Sequence, residues 1–559
     1  MTKKILSLIA TAMLSLSVTS CIEEYSPQSD TVTQEQVFNS PTAFQSAVDA
    51  ITASLCGEFT YGGNSNTYAY DFGLPSFYLQ RDVMGQDLCY PYQNWFEANY
   101  TGKGMGPSTA RAQLHWTFYY KWIKNCNEVI MLGGDEPQAN QYDGLGIAYC
   151  MRAYFYQDLA RMYAAETYAK NKNAETVPII TEKTTKEDTY NNPRATNEAM
   201  WAFILEDLDK AEQYLEGYTR SDVYTPDKSV VYGLKARAYL TMEDWVNAEK
   251  YAKLAQAGYT IMDEDAYTNW ETGFNTPNKS WMLGLTYHAD DPNILLNDAD
   301  SSWGSMMCME IDPNESACGY AANYGQPFLI DRHLYETIPA TDWRKKCYID
   351  FAIDEMEPGS PERITALSAY SKHPDWLDAL IINSYEKIGG VNLKFRTAGG
   401  EAGRKNQYIG FVVAVPMMRV EEMKLIEIEA AGMQNESRGI QLLTEFAKTR
   451  DASFTYNADD HNEAYGNLTT SAFRNAVWWQ RRVEFWGEGL ATFDIKRLNK
   501  GIIRSYAGTN HTEGYRWNLN TPPSWMNLCI VQTETNYNTA CTNNTTPVPP
   551  TSDSPEHVW

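Results

Sequence analysis

The chain has 559 residues, of which 43% are hydrophobic and 21% charged, and these values exclude wholesale disorder and fibrous structure. Its 46 basic and 71 acidic residues give a net charge of −25, and such an acidic surface repels phosphate backbones and anionic headgroups. We therefore expect neither nucleic-acid binding nor electrostatic membrane docking. The 38 tyrosines and 16 tryptophans supply aromatic faces that either fill helix–helix cores or stack on sugar rings.

The N-terminus has the pattern of an export signal. Lys3 and Lys4 precede an apolar stretch over 5–18, and small residues then lead to Cys21. This stretch is shorter than a typical transmembrane helix, and no later run reaches about 18 consecutive apolar residues. We expect residues 1–20 to be a signal peptide, with the mature protein attached to a membrane only by lipid at Cys21. A plain secretory signal with an incidental cysteine is the alternative.

The sequence around Cys21 resembles the lipobox of bacterial lipoproteins, although Thr19 stands where Gly or Ala is usual. The next residues, Ile22-Glu23-Glu24, are similar to the acidic surface-export signal of Bacteroidetes lipoproteins. This resemblance implies an outer-membrane lipoprotein that faces the cell exterior. Residues 21–30 are then a lipidated tether.

The mature chain alternates helical patterns with two irregular regions. Apolar residues recur at helical spacing over 31–56, 109–258 and 411–500. Residues 57–108 and 260–410 have little periodicity and are rich in turn-forming residues. Long loops of this kind usually carry function, so we predict that these two regions bind the ligand.

The helical block 226–257 indicates the architecture. It combines small Ala and Gly residues with aromatics at the ends of two helices, which is typical of a tetratricopeptide-like helical pair. Similar pairs fit 145–163 with 195–216 and 417–432 with 436–450. The sequence thus predicts a mostly α fold, a tetratricopeptide-like helical-pair scaffold with large irregular loop insertions, in one domain over 31–559.

Cysteine and histidine spacing argues against common metal and redox sites. Nine of the 10 cysteines remain after cleavage at Cys21, none in a CxxC motif, and the 7 histidines form no HExxH motif. The pairs Cys308/Cys318 and Cys529/Cys541 are close enough in sequence for loop disulfides, and both remain open. An oxygen-rich run could hold a structural Ca²⁺ but lacks EF-hand spacing, so a solvated loop without a cofactor is favoured. That run is Asp290, Asp291, Asn293, Asn297, Asp298 and Asp300.

Four segments of the mature chain carry recognisable motifs: Trp116–Ile130, Arg152–Tyr163 with the following Val177–Ile180, Pro416–Ala430, and Gln480–Arg497. Together they resemble the SusD/RagB family of Bacteroidetes outer-membrane nutrient-binding lipoproteins. The last segment is similar to the family pattern R-R-x-E-F-x-G-E-G-x-R-x-F-D-L-x-R and departs from it at Ala491, where Arg is common. The order of the four segments across most of the mature chain carries the resemblance.

The resemblance implies a SusD-like fold and a non-catalytic, cell-surface protein. Such a protein captures an oligosaccharide and passes it to a SusC-like TonB-dependent outer-membrane transporter. RagB-like relatives are associated with peptides, so peptide binding on the same fold is the first alternative. A surface endo-glycanase is a second alternative, and a structural lid whose affinity resides in the transporter is a third.

Glu484 and Glu488 lie four residues apart on one helix face, and glycoside hydrolysis uses paired carboxylates. Arg481 and Arg482 come just before them in the same segment, which favours ionised, salt-bridged carboxylates, whereas a general acid needs a raised pKa. We therefore interpret this cluster as structural and expect no enzyme activity.

Sugar rings present a C–H face that stacks on aromatic side chains and hydroxyls that bind planar polar groups. The residues predicted to bind the ligand are Arg81, Asp82, Trp95, Tyr287, Trp303 and Tyr324. The binding arc of the family comes from the same two loop regions. That resemblance favours Trp95 and Trp303 as stacking platforms and Arg81 as the polar clamp.

Overall fold

The computed structural model describes residues 41–58, 70–89, 95–296, 299–314, 319–380, 387–461, 465 and 470–559. The predicted signal peptide, the tether and the lipidation site Cys21 lie outside these residues. No helix in the described part of the chain combines the length and the apolar character that a membrane crossing requires.

The fold is mostly α, as the periodicity predicts. The longer helices are Pro41–Ala53, Leu74–Asp82, Ala110–Gly133, Tyr142–Tyr163, Asn197–Tyr214, Lys228–Met242, Trp245–Ala255, Val420–Gln434, Glu436–Lys448, Ala472–Glu484 and Ala491–Leu498. Shorter helices are Glu97–Thr101, Glu264–Thr268, Pro292–Leu295, Trp303–Met307, Arg332–Thr337, Pro361–Leu367, Pro374–Asp378, Gly400–Arg404, Gln407–Gly410 and Gln532–Tyr537.

The predicted helical pairs are confirmed. Each of the three pairs expected from the sequence packs as neighbouring helices. Between Lys228–Met242 and Trp245–Ala255 the chain reverses within two residues, since Glu243 takes a left-handed φ of 58° and ends the first helix. The Asp244 carboxylate then accepts a hydrogen bond from the backbone N–H of Asn247 at 3.2 Å and begins the second helix.

Glycines allow parts of the backbone to pack closely, in one case between two helices and in another between a helix and a strand. At Gly439, a side chain would place its Cβ 2.3 Å from the Cα of Gly432, so these two glycines set the contact between Val420–Gln434 and Glu436–Lys448. Gly233 instead faces a strand, because its Cβ would lie 2.4 Å from the sulfur of Met418.

The central region is an insertion between two scaffold helices. Trp245–Ala255 precedes it in sequence and packs directly on Val420–Gln434, which follows it. The strands Trp281–Thr286 and Ala414–Arg419 pair antiparallel at its two ends, and the second strand leads straight into the scaffold helix. The insertion therefore leaves and rejoins the scaffold at one place.

The central insertion contains short helices and packs around apolar side chains. Part of it has an apolar cluster of its own, which includes Met309, Ile349, Leu367 and Leu377. Two further antiparallel ladders, each two residues long per strand, join Leu88–Cys89 to Leu329–Ile330 and Ile502–Ile503 to Asn518–Leu519. The first of these ladders connects the two predicted ligand-binding regions.

The disulfide left open for Cys529 and Cys541 is not formed, because both are buried free thiols. Cys308 is also a buried free thiol, and Cys318 lies outside the described residues.

Candidate functional site

The two predicted ligand-binding regions meet at one end of a short ladder. Leu88 pairs with Ile330, and Cys89 pairs with Leu329 in antiparallel register. In such a pair, the chain that leaves the first strand and the chain that enters the second lie at the same end. Phe96 and Phe328 continue the contact beyond the ladder, with ring centroids 5.4 Å apart and ring planes at 77°.

One aromatic pair, Tyr70 and Trp95, belongs to the first region. The Trp95 side chain is 38% exposed, and its ring meets the buried Tyr70 ring edge-on with centroids 6.0 Å apart. The guanidinium of Arg111, in the first turn of Ala110–Gly133, lies 3.5 Å from the Tyr70 centroid. The Arg111 guanidinium over the ring and the edge-on contact with Trp95 hold the Tyr70 ring in place. The Trp95 ring therefore packs on a fixed support.

The second aromatic pair, Tyr320 and Tyr324, belongs to the central insertion. Tyr324 is 56% exposed and packs on Tyr320 with centroids 5.1 Å apart. The backbone N–H of Tyr324 donates to the carbonyl of Tyr320, and the N–H of Tyr320 donates to the hydroxyl of Ser305 at 2.7 Å. Burial raises the pKa of Tyr320 to about 12, so its hydroxyl keeps its proton at neutral pH.

Glycines fix the backbone beneath the second pair. Gly319 has a left-handed φ of 77°, and a Cβ there would lie 3.0 Å from the ring of Phe411. A Cβ at Gly304 would lie 2.6 Å from the same ring. Phe411 therefore packs between the tyrosine segment and the helix Trp303–Met307, and neither glycine can take a larger side chain without movement.

Planar amides flank Tyr324. Asn323 is exposed, whereas Gln326 is half-buried and its Oε1 atom is itself buried, without a hydrogen-bond partner among the described residues. Amide groups of this kind bind sugar hydroxyls through an acceptor and a donor.

The expectation that Arg81 and Asp82 face a ligand is wrong. Both lie in the helix Leu74–Asp82, whose nine residues are all buried. Arg81 donates from Nη1 to the carboxylate of Asp158 at 2.9 Å. Asp82 accepts hydrogen bonds from the backbone N–H groups of Gly489 and Ala491, and burial raises its pKa to about 7. These side chains connect the helix to the scaffold.

Tyr287 and Trp303 are also buried, each with 1% of its surface exposed, which corrects their expected exposure. The Trp303 ring meets Phe395 edge-to-face with centroids 5.1 Å apart and ring planes at 89°. The Tyr287 hydroxyl accepts a hydrogen bond from the backbone N–H of Trp303 at 3.4 Å. Both aromatics belong to the core that supports the second aromatic pair, not to its surface.

The paired carboxylates lie in a buried ion network. Glu484 contacts three arginines, Arg344, Arg419 and Arg450, at 3.1 to 3.2 Å. Burial alone raises the pKa of Glu484, but the arginine charges outweigh it and hold the pKa well below its usual range. An ionised, fully buried carboxylate cannot donate a proton to a glycosidic oxygen, which supports the structural interpretation.

Two side chains of the acidic run considered for Ca²⁺ form hydrogen bonds with nearby backbone groups. Asp291 accepts a hydrogen bond from the backbone N–H of His288 at 2.6 Å, and Asn293 donates to the carbonyl of Ser301. Asn297 and Asp298 lie outside the described residues.

Sequence reasoning missed Tyr70, Tyr320, Asn323 and Gln326. The spacing of Tyr320 and Tyr324 was a usable signal, because residues four apart share one face of a helical turn. Tyr70 gave none, since its importance depends on contacts with residues far along the chain.

Comparison with known proteins gives one consistent result. Residues 76–240 match the SusD-like family model described as starch-binding and associating with the outer membrane. No curated protein matches the chain.

Solved structures match nearly the whole chain. A SusD-like carbohydrate binding protein from Bacteroides vulgatus superposes with a TM-score of 0.67 at 21% identity, over 90% of this chain and 97% of the other. A SusD superfamily protein from Bacteroides thetaiotaomicron gives 0.66 at 17% identity, over 90% and 100%. Surface glycan-binding protein A of Bacteroides thetaiotaomicron, in complex with laminarihexaose, gives 0.63 at 18% identity, over 90% and 99%. The resemblance drawn from the four sequence segments is thus confirmed, and the chain has the SusD-like fold.

Proposed function

We propose that this protein is a non-catalytic lipoprotein that binds an oligosaccharide at the cell surface and passes it to a SusC-like TonB-dependent transporter. One observation carries the proposal. On a SusD-like fold, the ladder Leu88–Cys89 with Leu329–Ile330 brings the half-exposed Trp95 and the exposed Tyr324 to the same end of two paired strands.

Each aromatic pair supplies one stacking surface. Trp95 is the larger one and is held at its edge by Tyr70, so its orientation is set before a ligand arrives. Tyr324 is the second, with the exposed amide of Asn323 beside it for the hydroxyl groups of the sugar. Two stacking positions on preformed supports fit a chain of several sugar units, because ordering costs are low when the site is rigid.

Charge favours a neutral glycan. Removal of residues 1–20 would take away Lys3 and Lys4, so the mature chain would carry 44 − 71 = −27. A surface of this sign repels polyanionic glycans at long range. The ligands named for similar proteins, starch for the family and laminarihexaose for surface glycan-binding protein A, are neutral and define the first panel to test.

Native affinity electrophoresis of residues 22–559 through gels with starch, laminarin and other neutral polysaccharides tests binding. We expect at least one polysaccharide to retard the chain. Trp95→Ala and Tyr324→Ala should each weaken that retardation about 30-fold, as expected for the loss of about 2 kcal/mol at a central aromatic contact. Tyr537→Ala, at a tyrosine that is 71% exposed in a C-terminal helix, is the matched control and should bind like the wild type.

Negative results separate the alternatives. Unretarded migration through every gel, together with binding of a peptide mixture by the same chain, would favour the RagB-like alternative. Glycan binding by the complex with the transporter, and none by the isolated chain, would favour a structural lid. Release of reducing ends from a polysaccharide by the purified chain would show an enzyme and contradict the proposal.

Anchoring and handover are tested in cells. The proposal predicts that a labelled fatty acid is incorporated into the full chain and not into Cys21→Ala, and that the acylated chain is reached by protease added outside the cells. Purification of the acylated chain from outer membranes in mild detergent should bring a TonB-dependent transporter with it. A chain that is exported without acylation would contradict the anchor.

A further inference from the structure

A buried cluster of Cys89, Asp331 and His511 lies at the strand pair that carries the aromatic pairs. Cys89 ends the strand Leu88–Cys89, and Asp331 directly follows the partner strand. His511 comes from the C-terminal segment, 422 positions after Cys89. The exposed fractions of the three residues are 0%, 1% and 1% in that order. One ligand atom from each residue lies within 4.8 Å of the others.

Two of the three distances between donor atoms are close to the edges of a tetrahedral zinc site, and the third is within 4.8 Å. Zn–S bonds of about 2.3 Å and Zn–N or Zn–O bonds of about 2.0 to 2.2 Å give S–N edges of about 3.5 Å and N–O edges of about 3.4 Å. Here the Cys89 sulfur lies 3.3 Å from Nε2 of His511, and that nitrogen lies 3.4 Å from Oδ1 of Asp331. The sulfur also lies 3.6 Å from Nδ1 of the same ring, so the imidazole would have to turn until its Nε2 lone pair points between the sulfur and the carboxylate.

Neighbouring groups orient the donors as they do around bound metals. Nδ1 of His511 is hydrogen-bonded to the hydroxyl of Tyr100 at 2.7 Å, which leaves Nε2 towards the sulfur and the carboxylate. A ligating histidine almost always binds such a partner through its second nitrogen. The Asp331 carboxylate accepts a hydrogen bond from the hydroxyl of Tyr506 at 2.5 Å.

We propose that Cys89, Asp331 and His511 bind one zinc ion, with the side-chain oxygen of Asn510 as the nearest candidate for a fourth ligand. That oxygen lies 3.5 Å from the Cys89 sulfur. As the Zn–S bond forms, the thiol releases its proton to solvent. A thiolate and a carboxylate then neutralise the two charges of the ion, which suits a buried site. A thiolate and an imidazole select zinc over Ca²⁺ or Mg²⁺, which take oxygen ligands.

The ion would have a structural role, because the cluster is closed to substrate. It would connect three parts of the chain: the strand before Trp95, the strand after Tyr324, and the C-terminal segment that carries His511. This inference does not depend on the proposed function, since zinc binding is measured without any glycan. Bound metal adds its binding free energy to the folded state only, so it raises Tm.

The test uses residues 22–559 produced in zinc-supplemented medium and, separately, in cobalt-supplemented medium. We expect about one zinc per chain by elemental analysis. The cobalt form should show the charge-transfer absorption of a thiolate bound to Co²⁺. Cys89→Ser should abolish that absorption, and His511→Gln should lower the metal content. Cys308→Ser is the matched control, a buried free thiol outside the cluster, and should keep both signals.

Two results would overturn the proposal. One is a wild-type chain that contains no zinc above the level of the buffer. The other is a cobalt form without thiolate charge-transfer absorption. Either result would mean that Cys89, Asp331 and His511 form only a buried hydrogen-bond network. The wild-type measurements decide the question even if a variant fails to fold.

Discussion

Replacement of Trp303 by alanine tests whether the central tryptophan supports the site or contacts the ligand. The family resemblance favours Trp303 as a stacking platform, but its side chain is 1% exposed and packs edge-to-face on Phe395. Trp303→Ala should therefore act on stability. Trp95→Ala, at a side chain that is 38% exposed, should act on glycan binding.

The magnitudes follow from burial. Truncation of a fully buried tryptophan costs about 3–5 kcal/mol. With about 2.1 cal/mol/K of unfolding entropy per residue, a unit of about 500 residues has an entropy of about 1 kcal/mol/K, so Tm should fall by about 3–5 °C. Trp95→Ala loses mainly the contact with Tyr70, an aromatic pair worth about 1 kcal/mol, and its Tm should fall by about 1 °C.

Differential scanning calorimetry and affinity electrophoresis, both on the same preparations, give the two readouts. Trp303→Ala should show the lower Tm and keep its retardation well below that temperature, and Trp95→Ala should show the opposite. Trp201→Ala is the control for loss of a buried tryptophan in the scaffold, at 1% exposure. If Trp303→Ala abolished retardation while its Tm stayed within about 1 °C of the wild type, the assignment of Trp303 to the core would be wrong.

Two further predictions concern stability. Burial alone would raise the pKa of Glu429, but the charges of Arg497 and Arg474 lower it from 4.5 to about 2. The ionised carboxylate therefore stabilises the fold by about 3 kcal/mol above pH 4.5. This contribution is lost as the pH falls from 4.5 towards 2. The Tm difference between the wild type and Glu429→Gln should therefore shrink from pH 6 to pH 3 in calorimetry, and a constant difference would contradict this pKa. Because Cys529 and Cys541 are free thiols, a reducing agent should leave Tm unchanged, and a drop would indicate a disulfide.

The helical scaffold could be predicted because its signal is local. Trp245–Ala255 shows its apolar side within a few turns, and Lys228–Met242 has the small and aromatic residues of a helical pair. The two residues between them allow only a sharp reversal. Leu74–Asp82 could not be predicted in this way. All of its residues are buried, so no polar face marks the helix, and the sequence looks irregular.

The sequence indicated some of the residues now proposed for the site, and the others depend on distant contacts. Aromatic composition pointed to Trp95 and Tyr324, and both are exposed. The same composition pointed to Trp303, because a sequence does not show that the central insertion buries its own aromatics. The ladder that brings the two regions together is only two residue pairs long, and no local sequence pattern predicts it.

A crystal structure of residues 22–559 with the oligosaccharide of the polysaccharide that retards the chain most tests the central claim most directly. The account predicts a sugar ring stacked on Trp95, a second sugar unit against Tyr324, and hydroxyl groups within hydrogen-bond distance of Asn323 or Gln326. A ligand bound elsewhere on the chain, with Trp95 and Tyr324 both free of sugar, would contradict it.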